Sequence, residues 1–196
     1  GQDCLGANRI FVQRSIYDSF CKDFVGATKM LTIGVGMDDC DIGPLMNENA
    51  VQKQEAHVAD ALAKGAKLAC GGKRHLLGPL FYEPTVLIDV PADALILQEE
   101  TFGPVAAIAA FDTEDEVIAR ANDTEYGLVA YVFSENMKRA LQVCEALDYG
   151  MVGLNRGLVS DPAAPFGGTK QSGLGREGGH EGMLEFMETQ YISASW

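Results

Sequence analysis

The sequence has no cationic excess. Its 196 residues carry 15 Lys and Arg against 28 Asp and Glu, a net charge of −13. A general phosphate-backbone binder needs a cationic face, so nucleic acid is excluded as a partner class. An anionic membrane surface is excluded on the same ground. No apolar run reaches the ~18 residues needed to span a bilayer. Residues 1–8 hold no basic segment followed by an apolar one, so they do not read as a secretory signal. No C-x-x-C occurs. The five cysteines, Cys4, Cys21, Cys40, Cys70 and Cys144, are odd in number and widely spaced, which argues against a zinc ribbon and a thioredoxin motif. His57, His75 and His180 stand far apart, none at metal-ligand spacing with a cysteine, so no metal site is expected. Each reads as a surface or packing residue. Reduced thiols of this kind point to a cytoplasmic protein.

What is present is an ordinary globular composition, 47% hydrophobic and 22% charged. Apolar periodicity alternates between two kinds of segment. Residues 9–13 read as a strand and 15–31 as a helix, with Tyr17, Phe20, Phe24, Ala27 and Met30 near helical spacing. Residues 47–64 form a second helix, stopped by Gly65. Strands are expected at 66–70, 105–111, 128–133 and 150–155, with 81–90 extended. The run VAAIAAF at 105–111 is continuously apolar, as in a strand buried on both faces. Helices are expected at 113–121, with Thr113 and Glu116 as a capping box, at 136–147 and at 178–187. A closing strand is expected at 189–195. This alternation implies an α/β fold, a mostly parallel sheet with flanking helices.

Taken singly, the polar motifs are weak. Residues 173–178 (GLGREG) match G-x-G-x-x-G, but a loop precedes them and the chain nearly ends after them, unlike a dinucleotide fingerprint. Glu99 and Glu100 are neighbours, and neighbours on an extended chain point to opposite sides, so one of them at most faces a site. Phe102 and Phe166 sit beside glycine and proline and read as loop anchors. Ser160 reads as a loop hydroxyl making a local turn bond. A lone cysteine such as Cys4 is more often a small buried hydrophobe than a nucleophile. Arg9 lowers its pKa only if the fold brings the two together.

Taken together, they carry a resemblance. Gly1-Gln2-Asp3-Cys4 followed by Ala7-Asn8-Arg9 resembles the active-cysteine segment of the aldehyde dehydrogenase superfamily. Glu99-Glu100-Thr101-Phe102-Gly103-Pro104 and the run from Pro165 to Glu177 (PFGGTKQSGLGRE) resemble its second and third signatures, and Asn122-Asp123-Thr124-Glu125-Tyr126-Gly127-Leu128 is also typical. The resemblance extends over essentially the whole chain and is nearest to the succinate-semialdehyde dehydrogenases.

It implies roles by residue. Cys4 matches the nucleophile, Glu100 the carboxylate that holds the nicotinamide ribose, and Phe102 the ring beside the nicotinamide of NAD or NADP. Phe166 matches a residue lining the aldehyde pocket. Ser160 matches the serine that helps hold the distal carboxylate of succinate semialdehyde. Arg156 stands where many relatives have another residue, which leaves glutarate semialdehyde or another aldehyde open as substrate. Where many relatives carry a second cysteine two positions after the nucleophile, this chain has Gly6, so no disulfide switch with that neighbour is expected. The partner is a small-molecule aldehyde.

The resemblance makes residues 1–187 a catalytic portion and 188–196 an oligomerisation strand, within a homo-oligomer. It places the cofactor-binding domain and the general base ahead of Cys4, so the 196 residues alone are expected to be inactive. Two rivals of other classes stand beside this reading. One is a cysteine hydrolase or acyltransferase using Cys4, which has no need of the nicotinamide-facing Glu100 and Phe102. The other is a non-catalytic assembly module built on the closing strand.

Overall fold

The computed structural model describes residues 1–196. They form two compact units, Gly1–Val117 and Ile118–Trp196, a division the sequence pattern does not announce.

The first unit holds β1 (Arg9–Gln13), α1 (Tyr17–Thr28), α2 (Glu48–Ala63), β2 (Lys67–Cys70), β3 (Thr85–Ile88) and β4 (Val105–Phe111). Its sheet runs β1-β4-β3-β2. β4 pairs in parallel with β1 and β3, and β2 closes the edge antiparallel to β3. The apolar run is therefore a central strand, with Val105, Ala107, Ile108 and Ala109 buried. Two apolar clusters fill the unit. One joins Val51, Val58 and Ala61 of α2 to Leu87 and Ala107. The other joins Tyr17 and Cys21 of α1 to Val12, Val86 and Ile108. Adjacent residues, Val86 with Leu87 and Ala107 with Ile108, divide between the clusters. Side chains alternate along a strand, so α1 and α2 cover opposite faces.

Helix bounds follow from local chemistry. Asn47 caps α2 by accepting a bond from the Ala50 N–H at 2.9 Å, and Gly65 turns the chain out at φ 105°. The helix expected at 15–31 is shorter, because a 3₁₀ turn at Arg14–Ile16 precedes α1. The extended stretch 81–90 narrows to β3, which ends where Asp89 takes a positive φ of 53°. The Tyr17 hydroxyl fastens that end: it accepts from the Asp89 N–H at 2.7 Å and donates to the Ile108 carbonyl at 3.3 Å.

α3 (Glu114–Asn122) carries the chain from the first unit into the second. Thr113 accepts from the Glu116 N–H as expected, but the Glu116 carboxylate reaches the Asp112 N–H instead of that of Thr113. The second unit adds β5 (Tyr126–Gly127), β6 (Val129–Val132), α4 (Met137–Ala146), β7 (Met151–Leu154), β8 (Thr169–Lys170) and α5 (Glu181–Leu184). β6 and β7 pair in parallel, and β5 and β8 pair antiparallel.

Two expectations change here. The helix at 178–187 contracts to the single turn of α5, because Gly178 and Gly179 hold positive φ of 69° and 58°. Residues 189–195 form no strand in this chain. A strand needs a neighbour to receive its hydrogen bonds, and none of this chain's strands pairs with the segment. No helix is long and apolar enough to cross a membrane.

Candidate active site

Cys4 stands at the second position of a tight turn. The Gly6 N–H donates to the Asp3 carbonyl at 2.9 Å, and the Leu5 N–H donates to Asp3 Oδ1 at 3.2 Å. This is an Asx-type turn, which asparagine and aspartate favour because the side chain substitutes for backbone. It leaves Cys4 exposed. The thiol pKa nevertheless lies above its ordinary value. Partial desolvation is the largest cause, followed by the hydrogen bond to Asp3 and the charge of Asp3; the Glu100 carboxylate adds to them, and the backbone N–H of Cys4 opposes them. The carboxylates of Asp3 and Glu100 thus both work against the thiolate.

The turn is tied down just ahead of the cysteine. The Gln2 amide accepts from the Met46 N–H at 2.8 Å and donates to the Pro44 carbonyl at 3.2 Å. Gly1 lies so close to the next element that a Cβ there would collide with the Gly103 carbonyl. The segment leading into the Cys4 turn and the loop 98–104 therefore touch through backbone.

That loop presents Glu100 and Phe102 outward from a buried centre, Thr101. Phe102 is 39% exposed and holds a positive φ of 49°. A bulky residue in the left-handed region costs about 1–3 kcal/mol and persists only where its surroundings over-determine it. α2 supplies those surroundings. Gln54 Nε2 donates to the Thr101 carbonyl at 2.9 Å. His57 Nδ1 lies 3.2 Å from Thr101 Oγ1, and its Nε2 lies 3.1 Å from Glu99 Oε2. Gly103 sits against the Gln54 amide so tightly that a Cβ would collide with it. Glu99 and Glu100 thus differ: the Glu99 carboxylate reaches His57 of α2, and Glu100 stays exposed where its charge reaches the Cys4 thiol.

Phe102 and Glu100 suit a nicotinamide ribose: an accessible ring for stacking, and a carboxylate to accept from sugar hydroxyls. No cluster of His, Cys, Asp and Glu is placed to hold a metal ion.

Ser160 and Phe166 belong to the second unit. Ser160 is exposed. The local turn bond expected of it is made by its neighbour, since Asp161 Oδ1 accepts from the Ala163 N–H at 2.9 Å. Phe166 is half-buried and pairs both ways with Glu177: its N–H donates at 2.7 Å and its carbonyl accepts at 2.8 Å. The glycine-rich stretch is a folded loop, closed by Arg176, whose Nη1 donates to the carbonyls of Gly168 and Gly175 at 2.8 and 2.7 Å.

Sequence reasoning missed Gln2, Gln54 and Thr101, and assigned His57 no more than packing. The available signal was on α2, where Gln54 and His57 interrupt the buried stripe of Val51, Val58 and Ala61. Polar residues on a buried helix face need partners, so they mark a bond to something outside the helix.

The aldehyde dehydrogenase family pattern matches residues 1–192. The chain is 51% identical over 193 residues to a succinate-semialdehyde dehydrogenase (NADP+) of Escherichia coli strain K12, covering 98% of this chain and 40% of that protein. It is 49% identical over 193 residues to a glutarate-semialdehyde dehydrogenase of Pseudomonas aeruginosa, again covering 98% and 40%. Among solved structures, succinate-semialdehyde dehydrogenase from Burkholderia pseudomallei superposes with a TM-score of 0.93 at 52% identity, covering 95% of this chain and 39% of that one. The chain spans about 40% of the length of the curated relatives it matches.

Proposed function

This chain belongs to the aldehyde dehydrogenase family, and from that premise we propose that it forms the catalytic part of an enzyme oxidising succinate semialdehyde to the acid. The carrying observation is the backbone contact between Gly1, just ahead of the Cys4 turn, and Gly103, in the loop bearing Glu100 and Phe102. It supports the reading by joining the segment proposed to carry the nucleophile to the loop proposed to face the nicotinamide.

Cys4 acts as thiolate, since the thiolate and not the thiol is the nucleophile. Its sulfur adds to the aldehyde carbon and gives a thiohemiacetal oxyanion. The backbone N–H of Cys4, beside its own sulfur, is the donor proposed for that oxyanion. Glu100 and Phe102 hold the ribose and ring of NAD or NADP, which when bound supplies the hydride acceptor. With that acceptor bound, the thiohemiacetal would become a thioester on Cys4, and attack by water would release the acid and free the Cys4 thiol. Phe166 lines the aldehyde pocket and Ser160 donates to the distal carboxylate. Asp3 and Glu100 both disfavour the thiolate.

The similarity to a glutarate-semialdehyde dehydrogenase at 49% identity supports the longer semialdehyde as a second substrate reading. The activity is proposed for the full-length protein, and the 196 residues alone are expected to give no turnover. We place the protein in the cytoplasm, in keeping with five free cysteines. Residues 188–196 are proposed as the strand that pairs across the interface of a homo-oligomer. Tyr191 and Ile192, 87% and 76% exposed, supply apolar surface for such an interface.

The test is a steady-state comparison of succinate semialdehyde, glutarate semialdehyde and an aldehyde without a carboxylate, each with NAD and with NADP. The reading predicts the highest kcat/KM for succinate semialdehyde. Ester hydrolysis without any cofactor response would favour the hydrolase instead.

A further inference from the structure

We infer that His57, Gln54 and Thr101 form a clamp that positions Phe102 and Glu100 for the nicotinamide cofactor, without touching cofactor or substrate themselves. The inference rests on the function proposed above. It goes beyond that function by assigning a role to three buried polar residues that the chemistry does not use.

The clamp has three fixed points. Gln54 and His57, on the buried face of α2, are essentially inaccessible, at 0% and 1% exposure. Thr101 is 1% exposed and receives both of them: Gln54 at its carbonyl, His57 at its hydroxyl. Glu99 is partly exposed and reaches inward to the other nitrogen of His57. A carboxylate only accepts, so in the neutral ring the proton sits on Nε2, and Nδ1 accepts from the Thr101 hydroxyl. Both ring nitrogens are then satisfied, and the chain runs Glu99, His57, Thr101 without an open end.

The geometry gives the clamp its purpose. A buried loop centre needs hydrogen bonds, but it does not need its neighbour at positive φ. Phe102 is that neighbour, at φ 49°, and it lies between Thr101 and Gly103. Both flanking residues press on Gln54: Thr101 through its carbonyl, Gly103 through a contact that leaves no room for a Cβ. With both sides held, the backbone of Phe102 has no room to relax, and its ring stays accessible. With the clamp loosened, Phe102 falls back to an ordinary φ and its ring leaves the place where the nicotinamide stacks. Cys4 has ties of its own besides the Gly1–Gly103 contact, since Gln2 bonds to Pro44 and Met46 ahead of its turn.

The test uses Thr101→Val in the full-length protein. Valine keeps the volume and removes the hydroxyl that meets His57. The expected result is a rise of about tenfold in KM for the nicotinamide cofactor, the order of loss that follows from misplacing one positioned group. Cys4 alkylation by iodoacetamide without cofactor should change by much less than the cofactor KM, and Thr101→Ser should restore that KM. General destabilisation would change alkylation along with KM and would not be rescued by serine. If Thr101→Val does not fold, Glu99→Ala removes the other partner of His57 from the surface side and should raise cofactor KM in the same direction. An unchanged cofactor KM in the folded variant, or an equal change in alkylation, would overturn the clamp while leaving the function intact. A wild-type protein with no cofactor-dependent turnover would overturn the proposed function, and the clamp with it.

Discussion

The two units of this chain carry different halves of the proposed chemistry on different kinds of support. The first unit places Cys4, Glu100 and Phe102 on elements tied to α2 and to a four-stranded sheet covered on both faces. The second places Ser160 and Phe166 on a loop held by short-range backbone pairs. The burial is as uneven. Among the buried apolar residues only Ala140 and Met151 lie in the second unit, which also exposes Phe133, Leu158, Phe186, Tyr191 and Trp196. On the proposed roles, the difference teaches a division of labour: the residues proposed for the chemistry stand beside packed structure, and those proposed for substrate selection stand on a loop.

That comparison can be broken by substitution. The largest effect is expected at the nucleophile. Cys4→Ser in the full-length enzyme should lower kcat by at least about a thousandfold while the melting temperature stays put. A serine variant with near-normal turnover would remove Cys4 from the chemistry.

Core truncation should separate the units next. Ile108→Ala, in the central strand β4, should cost about 2–5 kcal/mol in a denaturant titration. Leu141→Ala in the second unit, at a residue already 49% exposed, should stay within about 0.5 kcal/mol. Equal losses would mean that the second unit is packed as firmly as the first.

Ser160→Ala should raise KM for succinate semialdehyde about tenfold, the worth of one hydrogen bond to a charged group. It should leave an aldehyde without a carboxylate unaffected. A loss shared by both aldehydes would place Ser160 in the chemistry instead of in selection.

The smallest effects concern the thiol. Asp3 and Glu100 each hold the Cys4 pKa up by disfavouring the thiolate, so removing either charge should lower it. The pH profile of Cys4 alkylation should therefore move to lower pH in Asp3→Asn and, by less, in Glu100→Gln. Movement toward higher pH would reverse the sign of the electrostatics described here.

Legibility in the sequence followed the range of the interactions. β4 was readable to the residue, because VAAIAAF is apolar at every position and a central strand buries both faces. α2 and α4 were readable because Asn47 and Asn136 cap them from within the local sequence. The strand expected at 189–195 is unpaired within this chain, since a strand depends on a neighbour that no local pattern specifies. Within the site, Cys4, Glu100 and Phe102 were legible only as members of a family pattern. The support beneath them was not legible at all: Gln54 and His57 meet their partners 47 and 42 positions away along the chain, and a phenylalanine at positive φ leaves no trace in composition or periodicity.

The central claim is that an aldehyde is oxidised while bound covalently to Cys4. The most direct test mixes the full-length enzyme with succinate semialdehyde and cofactor, quenches in acid within a single turnover, and maps the peptides by mass. The account predicts a succinyl group on the peptide containing Cys4, appearing together with reduced cofactor. An acyl group on another residue, or reduced cofactor formed at full rate with Cys4 unmodified throughout, would contradict it.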